Sequence, residues 1–347
     1  MSDDVELSCP VPWSGYDRVV LAHGGGGRLM HRLIRDVFRA AFESEELDRS
    51  LDGATLAIPG SIAVSTDAFT VQPLFFPGGD IGSLAVHGTV NDVAMCGARP
   101  LYLTVSFVLE EGLPVADLER IARSMGAAAR SAGVAIVTGD TKVVERGKGD
   151  GVFVTTTGLG QVVADPRPGP DRLMPGDAIL VSGPVGDHGA AVLATREGIE
   201  FEQPLVSDAA SVAADVLALY EAGVDVRCLR DPTRGGLATS LCELAEQSGA
   251  GMSLVEDDIP IRPQVADFCE LVGLDPLYVA CEGRFIAIVA AADEVRALAL
   301  LRERSGHDAR CIGRVTAGPP GTVSLRNAIG SDRILDMLSG EQLPRIC

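Results

Sequence analysis

Leu101-Tyr102-Leu103-Thr104-Val105-Ser106-Phe107-Val108-Leu109 and Val134-Ala135-Ile136-Val137-Thr138-Gly139-Asp140-Thr141-Lys142 bracket one helical pattern, and this stretch sets the fold class. In the first run Leu101, Leu103, Val105 and Phe107 alternate with Tyr102, Thr104 and Ser106, the period of a half-buried strand. Pro114 opens a helix whose apolar stripe is Leu118, Ile121, Ala122 and Met125, and Gly133 stops it. Residues 134–137 then read as a second strand, running into Thr138-Gly139-Asp140-Thr141-Lys142. Strand, helix and strand in succession predict an α/β protein.

The same style extends outward in both directions. Residues 19–21 read as a short strand entering His23-Gly24-Gly25-Gly26-Gly27. A helix follows, with Met30, Leu33, Ile34, Val37 and Phe38 on one stripe. Residues 62–66 read as a strand ending at Asp67, and Gly78-Gly79-Asp80-Ile81-Gly82 as a turn into a helix on which Val86, Val90, Val93 and Gly97 share a face. Residues 152–157 form another strand. Asp165-Pro166-Arg167-Pro168-Gly169-Pro170 reads as a linker, after which strands at 178–181 and 285–289 and helices after Gly189 and around Leu237, Leu241, Leu244 and Ala245 repeat the pattern. A chain of 347 residues suits two domains. The expected division is an extension at 1–18, an N-terminal domain at 19–164, a linker at 165–176, a C-terminal domain at 177–332 and a mobile tail at 333–347, where no apolar period is visible.

A net charge of -19 argues against nucleic acid and anionic membranes as partners. No apolar run approaches the roughly 20 residues that span a bilayer, and the acidic start lacks the basic flank of a secretory signal. A cytoplasmic protein is expected. The 8 cysteines show no Cys-x-x-Cys spacing, so neither a zinc site nor a dithiol redox pair is indicated.

Six features offer chemistry, and each has a plain structural alternative. Gly24, Gly25, Gly26 and Gly27 precede an arginine-rich helix start, which suits either a backbone cradle for polyphosphate or a ligand-free flexible loop. Asp67, Asp80, Asp92 and Asp140 stand near strand ends or helix starts, as Mg²⁺ ligands or as caps and turn residues. Lys142 is a phosphate partner, a base, or a solvated lysine. His188 in a glycine-rich turn is a proton carrier or a hydrogen-bonded turn residue, and Glu282 beside Arg284 is a base or half of an ion pair. Cys347, the last residue given, is a loadable nucleophile on a swinging arm or an incidental cysteine.

Together, Leu21-Ala22-His23-Gly24-Gly25-Gly26-Gly27-Arg28, Ser65-Thr66-Asp67, Gly88-Thr89-Val90-Asn91-Asp92, Thr138-Gly139-Asp140-Thr141-Lys142, Asp231-Pro232-Thr233-Arg234-Gly235-Gly236 and Pro344-Arg345-Ile346-Cys347 resemble the HypE family of hydrogenase maturation proteins. HypE belongs to the aminoimidazole ribonucleotide synthetase-like ATP-binding superfamily. The resemblance runs from about residue 19 onward. It implies mixed sheets with flanking helices in two domains, and a homodimer with ATP at its interface. It implies that a partner carbamoyltransferase loads Cys347, that ATP drives dehydration of the S-carbamoyl group to a thiocyanate, and that HypC and HypD receive the cyanide for [NiFe]-hydrogenase iron. It implies ATP contacts from Gly24 to Gly27, Asp67, Asp80, Asn91, Asp92, Asp140, Thr141, Asp231 and Arg234, with Mg²⁺ on Asp67, Asp92 and Asp140. Catalytic work falls to Cys347, Lys142, Glu282 and His188. Two rivals use the same motifs: a small-molecule kinase resembling thiamine monophosphate kinase, and a non-catalytic scaffold with a degenerate nucleotide site. Residues 1–17, with Cys9 and Trp13, and Cys281 beside Glu282 depart from the family pattern.

Overall fold

The computed structural model describes residues 16–49, 53–304, 308–337 and 345–347. Most of the expected N-terminal extension, including Cys9 and Trp13, lies outside the described residues. So do residues 338–344.

The N-terminal half opens with a 3-10 turn, Leu21–Gly24, where a strand was expected. Residues 17–19 pair with residues 112–115 through a single isolated bridge, Arg18 to Pro114, and the chain turns at Leu21 before the pairing extends into a ladder. A helical segment follows: α1 (Arg28–Leu33), a π-helical stretch (Ile34–Arg39) and α2 (Ala40–Phe42), then α3 (Glu45–Asp48). The strands are β1 (Ile62–Phe69), the short pair β2 (Phe75–Phe76) and β3 (Gly79–Asp80), β4 (Ala98–Glu110), β5 (Ala135–Val144) and β6 (Val152–Val162). Helices α4 (Ile81–Met95) and α5 (Val115–Ala132) complete this half. The main sheet has the order β1-β6-β4-β5, with only β4 and β5 parallel. Its inner face (Phe69, Leu103, Val105, Phe107, Val152 and Val154) packs under α4 and α5. Helix α4 is buried nearly all round, so its apolar residues do not form a single stripe.

The second half contains β7 (Ala178–Val181), α6 (Asp187–Glu197), α7 (Ala213–Glu221), β8 (Val226–Arg230), α8 (Gly236–Ser248), β9 (Gly251–Val255), α9 (Pro263–Val272), β10 (Ile286–Val289), α10 (Glu294–Arg304), β11 (Arg310–Thr316), β12 (Val323–Arg326) and β13 (Asp332–Leu335). Its sheet runs β13-β12-β9-β11-β7-β10-β8. This is the mixed α/β architecture that the sequence predicts.

Residues 333–347 do not form one mobile tail. β13 pairs along β12 at the sheet edge, with Leu335 buried opposite Val323. Residues 345–347 lie back against the body, with Ile346 only 4% exposed in the main core. Burying such a side chain is worth about 1.5–3 kcal/mol, and a local sequence pattern cannot show it.

Asn91 on α4 joins the halves. Its amide donates to the carbonyls of Ala210 and Glu282 at 2.9 and 3.2 Å, and its Oδ1 accepts from Val212 N at 2.8 Å. This clamp fixes α4 relative to both the segment before α7 and the segment before β10.

Candidate active site

Period-2 alternation along β1 turns Ala63, Ser65, Asp67 and Phe69 toward α4. Ser65 Oγ donates to Asp92 Oδ2 on α4 at 2.6 Å. The segment between β8 and α8 brings Asp231, which hydrogen-bonds to Asp92, and Arg234. Glu282 enters from the segment before β10, where the Asp208 carboxylate accepts from the N–H groups of Glu282 and Gly283. A Cβ at Gly283 would meet the Asp208 carbonyl oxygen at 1.8 Å, so only glycine permits this approach.

Residues 345–347 insert Cys347 into this cluster. Thr70 N–H donates to the Cys347 carbonyl at 3.1 Å and Gln72 N–H to that of Arg345 at 3.2 Å. His188 bonds the Ile346 carbonyl at 2.9 Å, Arg196 bonds that of Arg345 at 2.8 Å, and Arg345 pairs with Asp150. The Arg234 guanidinium hydrogen-bonds to the Cys347 sulfur.

The electrostatics follow from crowding carboxylates in a buried space. Burial, then the charge of Asp92, pushes the Asp67 carboxyl up to about 6. Burial and Asp92 push Asp231 up to about 7. Asp92 is raised by burial, against the pull of Ser65, Asp231 and Arg230. Glu282 is held well above the carboxylate range by burial, then by Asp231, Asp208, Asp67 and Asp92. Its Oε1 is buried without a hydrogen-bond partner. Burial and Glu282 raise the Cys347 thiol to about 11, with Arg234 opposing them. The resting site therefore holds a protonated glutamic acid and a protonated thiol side by side.

Of the sequence-derived residues, the fold gathers Asp67, Asp92, Asp231, Arg234, Glu282 and Cys347. It places Gly24 to Gly27, Asp140, Thr141 and Lys142 elsewhere. Gly139 is in register with Asp67 across β4 and β6, three strands or about 14 Å away. Asp140, one residue on, points to the opposite face of the sheet from Asp67. The expected metal triad of Asp67, Asp92 and Asp140 is thus not assembled within one chain. Among the described residues no group of three His, Cys, Asp or Glu side chains is placed to hold a metal ion. Lys142 shares the outer face with Asp140, 3.4 Å from it and exposed, so within one chain it is no base for Cys347. The strand expected to end at residue 137 continues to Val144 because parallel pairing with β4 holds it, and this alternates 140 and 142 outward. Gly24 packs at this same edge, where its Cβ position is 2.7 Å from Val143 N.

Three further assignments change. Asp80 is the N-cap of α4: its Oδ1 accepts from Gly82 N and Ser83 N at 2.9 Å and from Ser124 Oγ at 2.5 Å, the structural alternative for this residue. Asn91 is the clamp described above, not a cofactor ligand. His188 is fully buried with both ring nitrogens engaged, by Ser207 Oγ and by Ile346, so it holds the chain end rather than carrying protons. Ser65, Thr70, Asp150, Arg196, Ser207 and Asp208 were not foreseen. Ser65 was findable, since it shares Asp67's face at i+2. The others act on partners far along the chain and leave no local signal.

The fold and the paired carboxylates define a two-domain protein of the AIR synthase related class: residues 51–162 match the family described as AIR synthase related protein, N-terminal domain, and residues 174–326 match its C-terminal domain. The chain is 55% identical over 333 residues to carbamoyl dehydratase HypE of Cupriavidus necator, covering 95% of both chains. It is 54% identical over 331 residues to that of Azotobacter vinelandii, covering 95% of this chain and 97% of the other. A crystal structure of the hydrogenase maturation protein HypE in complex with ATP superposes with a TM-score of 0.92 at 51% identity, covering 94% of this chain and 99% of that one. The HypE of a HypE–HypF complex matches with a TM-score of 0.78 at 43% identity, covering 88% and 99%. A thiamine-monophosphate kinase from Stenotrophomonas maltophilia shares the fold at TM-score 0.65 and 22% identity, covering 84% of this chain and 95% of that one. The chain belongs to the HypE family of carbamoyl dehydratases, proteins of hydrogenase maturation.

Proposed function

We propose that this chain uses ATP to dehydrate an S-carbamoyl group on Cys347 to a thiocyanate, releasing ADP and phosphate, as the source of cyanide for [NiFe]-hydrogenase iron. The observation that carries the reading is the unpaired, buried Oε1 of Glu282 in the cluster that receives Cys347. The carbamoyl oxygen attacks the γ-phosphorus. The C–O bond then breaks, that oxygen leaves in inorganic phosphate, and both nitrogen protons are lost. Glu282 is neutral while Asp67 and Asp92 carry unbalanced charge. Once cationic charge balances them it ionises and accepts a proton from the carbamoyl nitrogen. Arg234, at the sulfur, orients the group and offsets negative charge on the transferring oxygen.

Mg²⁺ fits the donors. Asp67 and Asp92 are hard oxygen ligands whose mutual repulsion a divalent ion relieves, and they would hold it. Bound there, it would neutralise phosphate charge during transfer. In the second group of residues the Gly24 to Gly27 loop, Asp140 and Lys142 lie at the outer side of the β5 sheet edge, while Thr141 between them is buried on the inner face. We infer a homodimer in which this group meets the acidic cluster of a second copy around one ATP. The open sheet face supports this, with Ile62 and Val64 at 49% and 60% exposure. The HypE–HypF complex supports a HypF-type carbamoyltransferase as the loading partner, and iron-carrying HypC and HypD are the proposed acceptors. No helix among the described residues is long and apolar enough to cross a membrane, and a cytoplasmic site of action is proposed.

Intact mass tests the reaction: after carbamoyl loading, addition of ATP removes the mass of one water. Glu282→Gln is expected to load normally and to retain that water. Normal conversion in Glu282→Gln would exclude its role as base.

A further inference from the structure

The grip on residues 345–347 differs from what a catalytic histidine would require. Ile346 O can only accept, so His188 Nε2 carries the proton. Nδ1 is then an acceptor, filled by the Ser207 hydroxyl at 2.7 Å. Ser207 Oγ in turn accepts from Ala209 N–H at 3.1 Å, which leaves its own proton free to point at the ring. The chain Ala209 N–H, Ser207 O–H, His188, Ile346 C=O is satisfied throughout, with Ser207, His188 and Ile346 buried and the Phe76 ring edge-on at 5.4 Å.

We propose that His188 is a positioning residue for the reacting cysteine: held as the Nε2–H tautomer by Ser207, it fixes the Ile346 carbonyl and so the depth at which the Cys347 sulfur lies beside Arg234 and Glu282. The proposal rests on the reading of Cys347 as the carrier of the reacting group, but its grip can be measured without any turnover. Lateral register comes from Arg345, which pairs with Asp150 and donates to Thr70 O at 3.2 Å, while Arg196 spans the carbonyls of Gln72 and Arg345. These contacts set where residue 345 sits along the groove. The single bond from His188 comes from beneath and limits how far the next residue sinks. A proton carrier would need one ring nitrogen available to substrate, and here neither is.

The test is site-resolved alkylation of the full-length protein, read by peptide mass spectrometry, in wild type, His188→Gln, His188→Asn, Ser207→Ala and Ser207→Thr. The glutamine amide nitrogen falls near the position of Nε2, whereas that of asparagine falls near Nδ1. Orphaning the buried carbonyl should raise the Cys347 alkylation rate about tenfold in His188→Asn. His188→Gln should stay within about threefold of wild type. Ser207→Ala should be intermediate, and Ser207→Thr, which keeps the hydroxyl, should match wild type. Exposed Cys96 is the internal reference, and buried Cys228, Cys242, Cys269 and Cys281 report any unfolding. Equal Cys347 rates in His188→Asn and wild type, or His188→Gln as fast as His188→Asn, would overturn the proposal. The mass change on ATP addition, measured on the same samples, is separate: a normal latch with no water loss in wild type would refute the dehydratase reading alone.

Discussion

Asp231 should make the metal-free protein lose stability as pH rises, and Asp231→Asn should abolish that loss. Its carboxyl is raised from the ordinary aspartate value of 3.8 to about 7, chiefly by burial and then by Asp92. The folded state therefore binds the proton more tightly than the unfolded chain. The stabilisation is fully present below the unfolded value near 3.8 and is gone once pH has risen past about 7. At about 1.4 kcal/mol per pH unit the whole interval corresponds to about 4 kcal/mol. Asp92 and Asp231 are hydrogen-bonded and share the proton, so about half, roughly 2 kcal/mol, is assigned to this residue. Asparagine keeps a donor toward Asp92 and cannot ionise. In EDTA at pH 8 the variant should melt about 4 °C or more above wild type, and at pH 4 the two should coincide. Subtracting the variant from wild type cancels groups common to both, including Asp36 and Glu110, whose depressed values act in the opposite sense. Calorimetry with EDTA at pH 4, 6 and 8 gives the difference curve. A difference that is flat, or that grows toward low pH, refutes the idea that crowded carboxylates strain the unliganded site.

Ile346→Ala should weaken docking of the chain end by about 2 kcal/mol and raise Cys347 alkylation about thirtyfold, without exposing the buried cysteines; an unchanged rate would show that Ile346 does not anchor it. Gly24→Ala should lower ATP affinity at least about tenfold by calorimetric titration, because the new methyl meets Val143 N at 2.7 Å and displaces the loop; wild-type affinity would remove the glycine loop from the nucleotide site.

The strands at 101–109, 152–157 and 178–181 and the helix between Pro114 and Gly133 were legible because alternation and the 3.6-residue stripe are local properties. Asp67, Asp92, Asp231, Arg234, Glu282 and Cys347 were legible as reactive types in motifs. Their separate tasks were not. Asp80 reads identically as cap or ligand until Gly82 N, Ser83 N and Ser124 Oγ are seen to occupy it. Lys142 and Asp140 sit beside a glycine that suggested a strand end, but the β4 pairing runs through them and turns both outward.

Composition and local period by themselves determined an acidic α/β chain with two compact halves, and the residue types determined that carboxylates, an arginine and a cysteine were available. Only the tertiary structure decided which of them meet. Strand register fixes the face on which an aspartate lies and strand order fixes its distance, so Asp140 is both three strands from Asp67 and turned to the other face of the sheet. The seat of residues 345–347 depends on Thr70, Asp150, His188 and Arg196, more than a hundred positions away in the chain. Contacts over such separations arise from the packing of the two halves, and no window of sequence contains them.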